Sequence, residues 1–231
     1  MKRWLRKRQN SPDPIDFNWV KKSVSPESSS TKSVSFDGNE YNCRCVSSPG
    51  GDWMAAFGLS KTRSEQRLFI FENGEIHSTT KLKHPHRCAI ANNGFTIVGD
   101  RGDPRRLNGI ILIYDQRSNE LMSQRYSSNI AVVDMSDDGK YAAVVTMEPD
   151  CRTYIYYLPD RRLVTEHDNQ ESNIHRIRFQ IDEEFRLYMS NDDDAEPLYG
   201  VNLEGDTAWK SDRFRSPRSG ILDRVKGYLK R

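Results

Sequence analysis

Pro49-Gly50-Gly51-Asp52-Trp53-Met54-Ala55-Ala56-Phe57 and Asp137-Asp138-Gly139-Lys140-Tyr141-Ala142-Ala143-Val144-Val145 are two versions of one phrase. Each is a polar turn containing glycine, then an aromatic residue, then a short run of small apolar residues. They lie two periods of about 44 residues apart, and a period in that range marks one supersecondary unit copied and stacked. Such a repeat constrains architecture strongly and chemistry hardly at all.

Working outward from the two phrases, four units are expected. The first spans about Asn42 to Leu82, with runs at Trp53–Leu59, Arg67–Phe71 and Glu75–Leu82. Its last two runs are joined by Asn73-Gly74, the strongest short hairpin signal, because both residues tolerate positive φ. The second spans His86 to Tyr126, with Asn92-Asn93-Gly94 as its turn and Ile110–Asp115 as its third run. The third begins at Ile130 and contains Tyr141–Thr146, Thr153–Leu158 and Leu163–Thr165. The fourth begins at Ile174 and turns through Glu204-Gly205-Asp206. Runs such as Ile110–Tyr114 and Tyr154–Tyr157 are β-branched or aromatic and too short for helices. A four-stranded sheet alone leaves both faces wet, so the units must bury their faces against one another. The expected fold is all-β: a propeller of about four four-stranded blades over residues 41–213.

Met135-Ser136-Asp137-Asp138-Gly139-Lys140-Tyr141-Ala142-Ala143-Val144 resembles the Ser-Pro-Asp-Gly turn of WD-repeat and related propellers. Ile111-Leu112-Ile113-Tyr114-Asp115-Gln116-Arg117-Ser118-Asn119-Glu120 is similar to the third strand and hairpin of that repeat, with Tyr in the Trp place. The resemblance covers roughly residues 41–210 and implies architecture only. The chain lacks the Gly-His pair and the strand-three Trp-Asp dipeptide. It also has four units where seven are usual, so the resemblance is to a degenerate propeller outside the strict family.

The ends differ from the body. Residues 1–40 carry eight Lys and Arg against five Asp and Glu, and residues 210–231 carry eight against two. The middle, 41–209, has nineteen against twenty-six. Basic ends suit an anionic partner such as a membrane or nucleic acid, and also suit solvated, loose termini. Residues 1–14 read as a basic tail. Residues 15–40 read as N-terminal strands around a Ser-rich linker, with Ile15, Phe17 and Trp19 alternating, then Val34 and Phe36. Either run can add a strand to a terminal unit and hide an edge; the other arrangement is an open arc completed by a second copy. Residues 214–231 read as a helix capped at Ser216-Pro217, with Ile221, Leu222, Val225, Tyr228 and Leu229 on one face. That face serves either as a membrane- or partner-docking surface or as packing against the body. No run approaches the roughly 18 apolar residues that span a bilayer, and no apolar stretch follows the basic start. A cytoplasmic location is the expectation. Four cysteines in a chain this long are too few for a disulfide framework.

Candidate chemistry is sparse. His86-Arg87-Cys88 is echoed by His175-Arg176-Ile177 about two periods later, and Asn42 is the loosely equivalent position one unit earlier. First strands line a propeller channel, so Asn42, His86, Arg87, His175 and Arg176 are the candidate ligand site at its mouth, suited to a small anion when the imidazoles are charged. The same echo also follows from duplication alone. His84-x-His86-x-Cys88 puts metal-ligand types on one side of an extended chain, but Pro85 and a missing fourth ligand count against zinc. Asp192-Asp193-Asp194-Ala195-Glu196 lacks calcium-loop spacing. Neither metal nor cofactor is expected. No nucleophile elbow, phosphate loop or His-Glu-x-x-His occurs. A non-enzymatic scaffold for a protein partner is therefore the first expectation. A channel-based ligand binder or enzyme is the second, and a peripheral adaptor acting through the basic ends is the third. The sequence leaves oligomeric state open.

Overall fold

The structure is a computed structural model that describes residues 31–62, 64–101, 107–169, 174–182, 184–191 and 197–211. The expected C-terminal helix, the Ile15-Phe17-Trp19 run and the 192–196 acidic loop lie outside these residues.

Four antiparallel sheets follow one another along the chain, each a meander of sequence neighbours. The first holds β1 (Thr31–Phe36), β2 (Asn39–Ser47), β3 (Trp53–Ser60), β4 (Gln66–Glu72) and β5 (Glu75–Leu82). The second holds β6 (Pro85–Ile90), β7 (Thr96–Asp100), β8 (Gly109–Tyr114) and β9 (Glu120–Tyr126). The third holds β10 (Ile130–Met135), β11 (Tyr141–Thr146), β12 (Arg152–Tyr157) and β13 (Arg162–Asp168). The fourth holds β14 (Arg176–Ile181), β15 (Phe185–Ser190), β16 (Tyr199–Val201) and β17 (Thr207–Lys210). Val34 and Phe36 lie on β1, which pairs with β2 and gives the first sheet a fifth strand.

The repeated phrase has one geometry. Ser48 N donates to Trp53 O at 2.8 Å, and Ser136 N donates to Tyr141 O at 2.9 Å. In each turn the serine hydroxyl accepts the aromatic residue's amide, at 3.2 Å from Trp53 N and 2.9 Å from Tyr141 N. Gly51 and Gly139 take φ of 88° and 71°, where a Cβ is strained. The hairpin at Asn73-Gly74 has positive φ at both residues, as its sequence demands.

Side chains of one strand go alternately to two seams. Ala142 and Val144 pack toward the second sheet, while Ala143 and Val145 pack toward the fourth. Both faces are dry, and this is why the strand reads as an unbroken apolar run. Three seams result. Leu68 and Ile70 meet Ile90 and Val98 between the first and second sheets. Ile97, Ile111 and Ile113 meet Val133 and Met135 between the second and third. Ile155 and Val145 meet Leu187 and Met189 between the third and fourth. A fourth cluster, including Tyr41, Cys43, Ala56 and Phe69, lies on the far face of the first sheet and draws only on that sheet. No apolar cluster among the described residues joins the fourth sheet to the first. β6 stands against β2, β10 against β6 and β14 against β10, so the edge strands β6, β10 and β14 and the penultimate strand β2 gather on a common side, with β1 paired to β2 as the added edge.

Candidate functional site

The expected channel-mouth residues are placed on this common side, in a structural role where their bonds are visible. His86 Nε2 donates to Ile130 O at 3.0 Å, and Arg87 Nε donates to Ala131 O at 2.7 Å. Both side chains thus tie β6 to the backbone of β10. Burial pushes the His86 imidazole below its ordinary range, and Arg87 and Arg101 push it the same way against the bond to Ile130. Asn42 is exposed on β2. His175 is exposed just before β14, and Arg176 is buried at its first position. β10 stands between the strands that bear His86 and Arg176. Among the described residues no hydrogen bond or ion pair joins His86 to His175.

One rim carries a chain of bonds across all four sheets. Gly50 N donates to Asn92 Oδ1 at 2.6 Å, and Asn92 N donates to Asp137 O at 2.9 Å. Asn93 Nδ2 donates to Asp138 O at 3.2 Å, and Arg178 Nη2 donates to Asp137 Oδ1 at 2.9 Å. Beside this chain Asp134 Oδ2 accepts Phe179 N at 3.3 Å. Burial raises the Asp134 carboxyl to about 6, against the pull of Arg178 and of the Met135 and Phe179 amides. A carboxyl raised by folding binds its proton more tightly when folded. Its contribution to stability therefore falls as pH rises from about 4 through about 6, and the penalty is complete above that window. Asp134→Asn keeps an acceptor for Phe179 and removes the charge. The variant is expected to be about 1–3 kcal/mol more stable than the parent at pH 7 and equal to it at pH 4. Urea midpoints at the two pH values check this; equal midpoints at pH 7 would sink it.

The seams differ from one another in one respect. On the last strand but one each of the first three sheets turns an isoleucine toward the next sheet: Ile70 on β4, Ile113 on β8 and Ile155 on β12. Directly across from these, on the last strands β5, β9 and β13, stand Ser78, Met122 and Thr165, each beside a register slip. Ser78 Oγ donates to Gln116 O at 2.8 Å and contacts Ser118 Oγ at 2.7 Å. Thr165 Oγ1 donates to Leu203 O, and His167 Nδ1 bonds Gly205 O at 2.8 Å. These bonds fasten the outer strand of one sheet to the hairpin of the next. Met122 has no hydroxyl to donate. Among the described residues no hydrogen bond joins β9 to the turn between β12 and β13; β9 bonds to β12 only through the Tyr126 and Tyr156 hydroxyls at its end, and a cavity of about 500 Å³ opens beside them.

Tyrosines line this opening. Tyr126 and Tyr154 lie with ring centroids 4.9 Å apart, and the Tyr126 and Tyr156 hydroxyls are 2.7 Å apart. Tyr154 Oη donates to Asp150 Oδ2 at 2.9 Å. Burial raises all three phenols, with Asp150 helping to push Tyr154 up to about 12, so each remains a hydrogen-bond donor at neutral pH. Gln124, Arg125, Arg161 and Leu163 complete the walls, and Leu163 is 42% exposed. No lone motif in the sequence singles these residues out. The signal is the substitution of Met122 for a hydroxyl residue, visible only once the last strands β5, β9 and β13 are aligned by their register.

The class defined by these features is an all-β stack of four antiparallel meander sheets, consistent with a propeller. No protein family model matches the chain, and no curated protein matches it. Among solved structures it is similar to a chain of Kuenenia stuttgartiensis hydrazine synthase, at 14% identity with a TM-score of 0.51. The match covers 69% of this chain and 45% of that one, so this chain spans less than half of the similar structure's length. At that identity the likeness concerns fold alone. Among the described residues no helix is long and apolar enough to cross a membrane.

Proposed function

We propose that this protein is a non-catalytic interaction module that holds a segment of a protein partner in the open seam between its second and third sheets. The observation that carries the reading is the cavity at the seam where Met122 replaces the hydroxyl that fastens the other two. Its lining suits recognition. Tyr, Met and Arg are enriched where interfaces concentrate their energy, and Tyr126 and Tyr154 are rigid anchors set on strands. A stacked-sheet scaffold supplies that rigidity without supplying chemistry of its own.

A photoreactive residue at Leu163 tests the reading in native extract. The expected result is a single partner adduct at near-stoichiometric yield. It should fall about tenfold when Gln124→Trp fills the seam, an effect worth about 1.4 kcal/mol of binding. Equal yield from the filled variant would remove the seam from the binding surface.

A further inference from the structure

We propose that the segment held in this seam is acidic and carries an aromatic or long aliphatic anchor; the inference rests on the binding role argued above. The charge of the cavity decides it. Among the described residues Asp150 is the one carboxylate that lines the cavity, and it is hydrogen-bonded to its own wall. Asp150 Oδ2 accepts from Thr146 Oγ1 at 2.8 Å as well as from Tyr154. Glu166 is paired with Arg152, and Asp160 lies 3.2 Å from Arg162 Nε. Arg125 on β9 and Arg161 in the opposite hairpin are both exposed, and among the described residues neither has an ion-pair partner. Asp150 keeps its charge, because its donors are neutral hydroxyls, so the lining carries two guanidiniums against one carboxylate and is net positive, with one arginine on each wall.

The floor supplies the anchor's pocket. Met122 is unbranched and adapts to irregular shapes, and the Tyr154 ring and Leu163 face the same space. A volume of about 500 Å³ falls within the roughly 300–1,000 Å³ of ligand pockets, enough for one large side chain and its neighbours. Guanidinium groups bind carboxylates through two parallel hydrogen bonds, so two arginines flanking an apolar floor select acidic residues on either side of a buried apolar one.

The test uses the full chain and three labelled hexapeptides followed by fluorescence polarisation at low salt. They are acetyl-Asp-Glu-Phe-Asp-Glu-Leu, its basic counterpart acetyl-Lys-Arg-Phe-Lys-Arg-Leu, and the anchorless acetyl-Asp-Glu-Gly-Asp-Glu-Ser. The anchored acidic peptide is expected to bind at least about tenfold more tightly than either of the others, and to weaken as salt is added. The double variant Arg125→Glu, Arg161→Glu should invert the preference toward the basic peptide. Both positions are exposed, so unchanged thermal unfolding is expected to accompany the inversion. Met122→Thr supplies a donor for the Pro159 carbonyl, which holds in its hairpin the place of Gln116 and Leu203, and should weaken the anchored peptide by closing the cleft. Equal binding of acidic and basic peptides, or no effect of charge reversal, would overturn the proposal. Displacement of the acidic peptide by oligo(dT) of equal charge would overturn it too, assigning the seam to nucleic acid. If the Leu163 adduct still forms but charge reversal leaves it unchanged, the acidic selection fails while the interaction role stands. If neither adduct nor peptide binding is seen, both fail.

Discussion

Gly58→Ala is expected to lower the stability of this protein by at least about 3 kcal/mol, a large part of the roughly 5–15 kcal/mol that a domain holds. Gly58 sits mid-strand on β3, opposite Cys43 on β2. A Cβ there would lie 2.7 Å from Cys43 Cα and inside the envelope of the Asn42 carbonyl oxygen. Both obstacles are backbone, so no rotamer change relieves them, and the β2–β3 ladder must part. Parting it exposes the face that carries Tyr41 and Phe69, both fully buried. Gly51→Ala is the control. Gly51 has φ of 88° with nothing within 4 Å of a Cβ, so it loses only the backbone term of about 1 kcal/mol. Urea denaturation of both variants separates close approach from strain. A Gly58→Ala midpoint no lower than that of Gly51→Ala would show that the two strands have room to spare.

The second large effect is Ile155→Ala, at about 2–5 kcal/mol. Ile155 is fully buried on β12 and packs toward Leu187 and Met189 of the fourth sheet. In a stack where each sheet leans only on its neighbours, damage to one seam loosens the unit beyond it first. Amides of β15 and β16 should therefore exchange at least about thirtyfold faster, 2 kcal/mol being about that factor, while β7 and β8 keep their protection. Uniform acceleration through all four sheets would instead mean that they unfold as one cooperative body.

Particular residues show how far local reading reaches. The glycine turns before Trp53 and Tyr141 were legible because a turn is closed by residues within five positions of each other, so sequence neighbours are also spatial neighbours; that Ser48 and Ser136 close them alike is shown by the structure. Asn73-Gly74 was legible for the same reason. The alternation of Val34 and Phe36 pointed to a strand that can cover a terminal edge, and β1 on the first sheet is such a strand. His86 and Arg87 were singled out by their echo at His175 and Arg176, yet the visible bonds of the first pair go to the β10 backbone, about one period away. That partner depends on which strand lies alongside, which no local pattern encodes. Met122 is the strongest case. Read alone it is an apolar residue in a strand. It becomes a site residue only because the Ile113 pairing aligns it with Ser78 and Thr165, whose hydroxyls reach into the next sheet.

The chain by itself determined four copies of a turn-and-strand unit, because hydrogen-bonded turns and two-sided burial leave their mark on consecutive residues. Only the tertiary structure decided which seams close and which stays open. A seam is made by side chains from different units, and whether a hydroxyl finds a carbonyl across it depends on register and stacking, which act over the full length of a repeat.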